Sequence, residues 1–341
     1  MTRLADLSYD EQIKLCRKIA PGILARYGLR NAQLTLPTGG LGIVFRVEAE
    51  MPECFGVNRF VLRIHRDGSW YVRHSDAAIE SGLRWLIALR RDTDLIVPEP
   101  VFARDGSLVQ RTVVDGLEKE IRCTLLGWIE GEFIDEELTP DHLRKAGVFA
   151  ARLHEHALKF AISEKVHRPR MDWRLALSPW MNCDIREKDL RSTTLLSENE
   201  LRIFVAAADR VLKEIRQIPK NQNYGLIHGD FSHRNFLFHE GAVRAIDFDG
   251  CCWNHHMCEL AGTLYFLYFQ GERENFEALH DSLLEGYASI RPLPEGYEKQ
   301  LTTFQMAIHL YIYEGLSYST DYDRETITTA IRLLRFIEDI Y

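Results

Sequence analysis

Apolar residues recur along the chain at two different spacings, and the alternation between them predicts its elements. From Asp10 to Tyr27 helix formers dominate with Pro21-Gly22 among them, which predicts two short helices or one helix broken at that point. After Gly28 the spacing shortens to two. Leu34 to Leu36, Ile43 to Ala49 and Phe60 to His65, joined by turn residues, predict an antiparallel meander. Ser75 to Arg90 returns to a helical period, with Ala78, Ile79, Leu83, Leu86 and Ile87 on one side. Pro98 and Pro100 then end the helix-compatible stretch, and Val101 to Ala103, Leu108 to Arg111 and Glu120 to Leu126 predict strands that complete the sheet.

Glycines and acids break the pattern in LLGWIEGEFIDEEL, a candidate hinge. Beyond it the helical period prevails. Thr139-Pro140 opens a helix carrying Leu143, Ala146, Gly147, Ala150, Leu153, His154 and Ala157 on one side, and Leu201 to Ile215 repeats the pattern. Phe236 to Phe238 and Val243 to Ile246 flank Glu240-Gly241, which predicts a β-hairpin. Glu259 to Phe269, Phe276 to Tyr287, Tyr297 to Glu314 and Arg324 to Ile340 are helical in composition. The expectation is an α+β protein with residues 1–127 forming a lobe of antiparallel sheet plus helix, and residues 128–341 a mainly helical C-terminal lobe.

With 341 residues there is enough chain for two such lobes. A formal net charge of -8 supplies no global basic field, so neither nucleic acid nor an anionic membrane surface is an expected partner. The longest apolar run, roughly Leu260 to Phe269, falls short of a membrane span, and the first residues lack a signal-peptide core, so a cytoplasmic location is expected. Seven cysteines with Cys251 and Cys252 adjacent suit free thiols in a reducing compartment. CCWNHHMC suggests zinc, yet it has no paired CxxC and no second ligand group at a fitting distance.

The densest chemistry lies in LIHGDFSHRNFLFHEGAVRAIDFDG, Leu226 to Gly250. Antiparallel pairing of the hairpin brings Asn235 and Asp247 to one end, with Asp230 on the loop beside them. An amide oxygen next to a carboxylate suits a hard cation that keeps some of its waters, and Mg²⁺ carrying nucleotide phosphates is the usual case. A second carboxylate a few residues upstream can orient an attacking hydroxyl and accept its proton. HGDxxxxN has the spacing of the protein-kinase HRDxxxxN loop, with Gly229 in place of the arginine, and IDFDG stands where DFG does. In these motifs and their order the sequence resembles the aminoglycoside phosphotransferase and choline kinase group. The DxDG start of the haloacid dehalogenases is a rival for AIDFDG, but it needs alternating strands and helices after the motif, where this chain is helical.

The resemblance implies a bilobal protein-kinase-like fold and a Mg²⁺-dependent transfer of the ATP γ-phosphoryl group to a hydroxyl of a small molecule: an aminoglycoside, choline or ethanolamine, or a hydroxy amino acid. It gives Asp230 the catalytic role and Asn235 and Asp247 the metal, with Asp249 a further ligand or a brace of the turn. Arg63, in VLRIHR, occupies the place of the strand cation that holds the α- and β-phosphates, and the turn containing Gly39, Gly40 and Gly42 is the phosphate loop. Backbone groups around Leu126 and Trp128 are where the adenine would bond. Related enzymes carry a helix glutamate that pairs with the strand cation. Here Gly82 falls at that place and Glu80 is two residues away, about 200° around a helix.

His154 shares an apolar helix side and reads as a hydrogen-bonded core residue, and His228 as a brace of the loop. Glu130, Glu132, Asp135, Glu136 and Glu137 form an acidic run; such runs are ordinarily solvated, while one at a cleft mouth attracts a cationic acceptor. Glu314 and Asp321 are candidate acceptor contacts. Arg63 and the displaced Glu80 also fit an alternative function, a catalytically weak nucleotide-binding kinase relative with a regulatory or scaffolding role. Intact Asp230, Asn235 and Asp247 favour the enzyme.

Overall fold

A computed structural model describes residues 2–36, 43–50, 57–65, 75–134, 137–163, 166–181, 196–269, 275–317 and 322–339. In chain order the elements begin with α1 (Tyr9–Arg26), β1 (Arg30–Thr35), β2 (Ile43–Glu50), β3 (Val57–His65), α2 (Asp76–Asp92), β4 (Gln110–Thr112) and β5 (Ile121–Gly127). They continue with α3 (Pro140–Ser163), α4 (Trp173–Ala176), α5 (Ser178–Met181), α6 (Glu198–Gln217) and β6 (Tyr224–Ile227). The last are β7 (Phe236–His239), β8 (Ala242–Ala245), β9 (Cys252–His255), α7 (His256–Phe269), α8 (Phe276–Ala288), α9 (Tyr297–Ile312) and α10 (Arg324–Asp339). The chain forms two compact units, one of Met1–Glu132, Phe160–Pro169 and Leu237–Gly250, the other of Phe133–Lys159, Arg170–Phe236 and Cys251–Tyr341.

The first unit is built on a five-stranded sheet in the order β1-β2-β3-β5-β4, antiparallel at every pairing. Strand alternation decides its faces: Ile43, Phe45, Val47 and Ala49 of β2, with Phe60, Leu62 and Ile64 of β3, pack into one apolar core with Cys16, Ala20, Ile23 and Leu24 of α1. That packing corrects the expected break at Pro21, because α1 runs through it unbroken. Pro21 is exposed while the buried positions continue on either side, so burial of the stripe outweighs the roughly 3 kcal/mol penalty of an interior proline. The expected strand at Val101 to Ala103 is also absent. Val101 N donates to Leu125 O at 2.9 Å beside a single bridge from Pro100 to Leu126, and Ala103 N already turns back to Ser107 O at 2.9 Å. Pro100 has no amide with which to extend the ladder.

In the second unit α3 and α8 approach closely enough that each carries a glycine at the contact. A Cβ on Gly147 would lie 2.1 Å from the Leu283 carbonyl oxygen, and one on Gly286 2.0 Å from that of Arg144. β6 pairs antiparallel with β9, Leu226 opposite Trp253. Trp180 stacks on Phe204 with ring centroids 4.5 Å apart and donates its indole N–H to Leu310 O at 2.7 Å. The helix expected to reach Glu314 ends at Ile312, and a 3₁₀ turn, Glu314–Ser317, follows. No helix among the described residues is long and apolar enough to cross a membrane.

Candidate active site

In the second unit, the loop after β6 is folded by its own polar groups. Ser232 N donates to Asp230 O at 3.0 Å, and Asn235 N to Ser232 O at 2.8 Å, closing the 3₁₀ turn His233–Asn235 that leads into β7. The Asn235 side-chain nitrogen then donates both to Asp230 O and to Asp230 Oδ2, each at 2.8 Å. With the nitrogen so committed, the amide oxygen is the atom left to meet a cation. Asn235 is buried and Asp230 is exposed, so the aspartate is held from behind and open to solvent in front.

Beneath this loop lies a buried carboxylate that the sequence reading passed over. Glu259, on α7, accepts from His228 N at 2.6 Å and from Gly229 N at 2.9 Å. Burial pushes its pKa up, against the pull of those backbone donors and of His228. Its signal was available: one acid within MCELAGTLYFL, an otherwise apolar helix, must find a partner inside the protein. His154 stacks on His256 with centroids 4.2 Å apart, meets the Tyr287 hydroxyl at 3.0 Å through Nδ1, and has Nε2 3.5 Å from Glu259 Oε2. Burial drives both histidines well below their ordinary pKa, so they are neutral. His154 is thus the hydrogen-bonded core residue expected. His228 braces the loop twice, through its amide on Glu259 and through Nδ1, which accepts from Asp230 N at 3.3 Å.

In the first unit the β7–β8 hairpin turns at Glu240 and Gly241, both at positive φ, and delivers the chain to Asp247, itself at φ 63°. Arg63 meets this carboxylate turn from β3, with Nη1 2.8 Å from Asp247 Oδ1 and Nε 2.5 Å from Asp249 Oδ2. Its neighbours Leu62 and Ile64 face the core, so alternation alone turns the guanidinium to the other side. Burial works against that charge, but Asp247 and Asp249 overcome it and hold the group above its ordinary pKa. His65, two residues on, places Nδ1 3.6 Å from Asp249 Oδ2 and Nε2 3.0 Å from Thr124 Oγ1. Among the described residues no three His, Cys, Asp or Glu side chains gather for a metal. The two aspartates are instead bridged by a cation that is part of the chain.

Glu80 does not pair with Arg63. It bonds Arg84, 2.6 Å away on the outer side of α2, while Gly82 is buried. Leu126 is opposite Val61 in the sheet, and the next two amides are in use: Gly127 N donates to Glu99 O at 2.7 Å and Trp128 N to Arg59 O at 3.1 Å. The Arg46 guanidinium lies over the Trp128 ring, 5.0 Å from its centroid. In the acidic run Glu130 is ion-paired with Arg59. Gly39, Gly40, Gly42, Asp135, Glu136 and Asp321 lie outside the described residues, and Glu314 is buried in its 3₁₀ turn.

Amicoumacin kinase of Bacillus subtilis (strain 168) is 23% identical over 312 residues, which cover 89% of this chain and 84% of that protein. The structure of a microcompartment-associated aminopropanol kinase superposes with a TM-score of 0.71 at 25% identity, covering 94% of this chain and 95% of its own. That of amicoumacin kinase in complex with AMP-PNP, Ca²⁺ and Ami gives 0.70 at 19% identity, covering 97% and 94%. The expected α+β, protein-kinase-like fold is the one these structures share. Residues 44–293 match the profile of a phosphotransferase enzyme family, and with nearly three quarters of its length inside that match the chain belongs to the APH phosphotransferase family.

Proposed function

We propose that this phosphotransferase moves the γ-phosphoryl group of ATP to a hydroxyl of a small amine-bearing molecule. Asp230 orients the hydroxyl and takes its proton as the oxygen attacks phosphorus and ADP leaves. Asn235, through its amide oxygen, and Asp247 and Asp249 would hold Mg²⁺, and their chemistry fits it: all are oxygen donors, and the aspartates already bind a cation. The bound ion would supply positive charge to the phosphate oxygens. Arg63 and Gly39, Gly40 and Gly42 are assigned to the phosphates, and backbone groups around Leu126 to Trp128 to the base. In this assignment residues 1–127 carry the nucleotide, and residues 128–341 the catalytic loop and the acceptor.

The observation that carries the assignment is the pair of hydrogen bonds that the Asn235 side-chain nitrogen donates to Asp230, which ties the two functional residues of HGDxxxxN into one turn. An amino alcohol is favoured as acceptor by the relative that acts on aminopropanol. The test is acceptor-dependent ADP release from Mg·ATP over aminopropanol, ethanolamine, choline, homoserine and an aminoglycoside, beside Asp230→Asn. Turnover is expected with at least one amine-bearing alcohol, and a fall of about 10² to 10⁴ in kcat for the variant. A variant as active as wild type would refute the role of Asp230. Stabilisation by nucleotide without turnover on any acceptor would support the regulatory alternative, for which the Arg63 bridge across both aspartates is the favouring observation.

A further inference from the structure

The family resemblance leads one to expect a helix carboxylate that ties α2 to the cation on β3. This chain has none at that place, because Gly82 occupies it and Glu80 is bonded outward to Arg84. Yet α2 is not left loose. Arg168, in the segment Phe160–Pro169 that packs with the first unit, is only 5% exposed. Its Nη1 donates to the Ala78 carbonyl in the first turn of α2 at 3.1 Å, and its Nη2 donates to the Asp249 carbonyl. Next to it His167 N donates to Ser81 Oγ at 2.9 Å, and Trp85 of α2 packs edge-on against Phe248 with centroids 5.7 Å apart.

The connections form a chain from helix to strand: α2 through Arg168 to the Asp249 backbone, then through the Asp249 carboxylate to Arg63 on β3. A guanidinium suits this because its fork places two N–H groups on two separate acceptors with little loss of freedom. We propose that Arg168 is a positioning residue for phosphoryl transfer, a strap that fixes the carboxylate turn against α2 and so sets where the Asp249 and Asp247 oxygens stand. It replaces the missing helix carboxylate by reaching the turn's backbone instead of the strand's cation. The inference rests on the metal-holding role proposed above for Asp247 and Asp249. Partners that orient ligands without touching the ion commonly control metal affinity about 10- to 100-fold.

The test reads metal binding without turnover. Mn²⁺ affinity of the full chain in the presence of AMP-PNP is measured by electron paramagnetic resonance for wild type, Arg168→Met, Arg168→Lys and Ser81→Ala, with thermal melting of each. Arg168→Met keeps the aliphatic stem and removes both bonds, so Mn²⁺ affinity is expected to fall about tenfold or more. Arg168→Lys keeps one bond at a time and is expected to lie between. Ser81→Ala loses a bond in the same segment without touching Asp249, and is expected to melt lower while binding Mn²⁺ like wild type. Unchanged Mn²⁺ affinity in a folded Arg168→Met would overturn the strap, as would affinities that merely follow the melting temperatures across all three variants. Should Arg168→Met fail to fold, an Arg168→Lys variant with wild-type affinity overturns it equally. A wild type that binds no Mn²⁺ with AMP-PNP would remove the strap's purpose together with the metal assignment, and is told apart from the other failures because it is seen before any substitution.

Discussion

Replacement of Glu259 by alanine removes the acceptor shared by the His228 and Gly229 amides. His228 is wholly buried, so its orphaned N–H costs the full price of a desolvated donor, about 1–3 kcal/mol. The Gly229 amide lies at an exposed residue and can turn to water, so its share is smaller. With the void left by the side chain, the loss of stability comes to about 3 kcal/mol. Catalysis should suffer beyond stability, because these two residues immediately precede Asp230; a drift of about 1 Å there is worth roughly 10²-fold in kcat. Glu259→Gln keeps one acceptor oxygen but turns an amide donor toward the other N–H, so it should fall between wild type and alanine. Urea unfolding at pH 7.5 and acceptor-dependent ADP release below the unfolding transition measure both effects. An alanine variant within about 1 kcal/mol of wild type and with unaltered kcat would refute the anchoring role.

Acid should destabilise the second unit at higher pH than carboxylate titration alone would. Burial lowers His255 and His309 from 6.5 to about 4, and also holds His154 and His256 well below their ordinary value, so below pH 6.5 the unfolded chain binds protons that the folded one refuses. Stability is full above that pH and declines beneath it, by about 2 kcal/mol at pH 5 for each of His255 and His309. Glu259, raised by burial, works the other way, its contribution being present at low pH and lost as pH rises. A melting temperature that stays flat from pH 7.5 to pH 5 would contradict the histidine reading. Gly147→Ala or Gly286→Ala should cost about 3 kcal/mol or more in chemical unfolding, since the new methyl would overlap a carbonyl of the facing helix. Gly22→Ala, with nothing within 4 Å of the added atom, should instead gain up to about 1 kcal/mol.

What the sequence made legible is what neighbouring residues decide among themselves. The hairpin is visible because Glu240-Gly241 and the two flanking apolar runs lie together, and the Asp230–Asn235 pairing spans five residues. The strands of the sheet show through their alternation. Pro21 misled because a local rule met a tertiary packing surface that the window around it does not contain. Val101 to Ala103 misled for the opposite reason, since strand-like residues found only one pairing partner. Arg168 reaches acceptors 81 and 90 residues away, and Glu259 acts across 30 and 31, distances over which no periodicity speaks. The return of Leu237–Gly250 to the first unit likewise depends on contacts such as Glu132 with Phe238 that only the folded chain reveals.

Asp247 stands at φ 63°, a backbone region that side chains other than asparagine and aspartate enter at a penalty. Evolution therefore has few replacements to try at this position, and asparagine and glycine are the ones that keep the turn while discarding the negative charge. A duplicated copy of this gene could therefore shed that charge, preserve its shape, and persist as a receptor for whatever small molecule its ancestor modified.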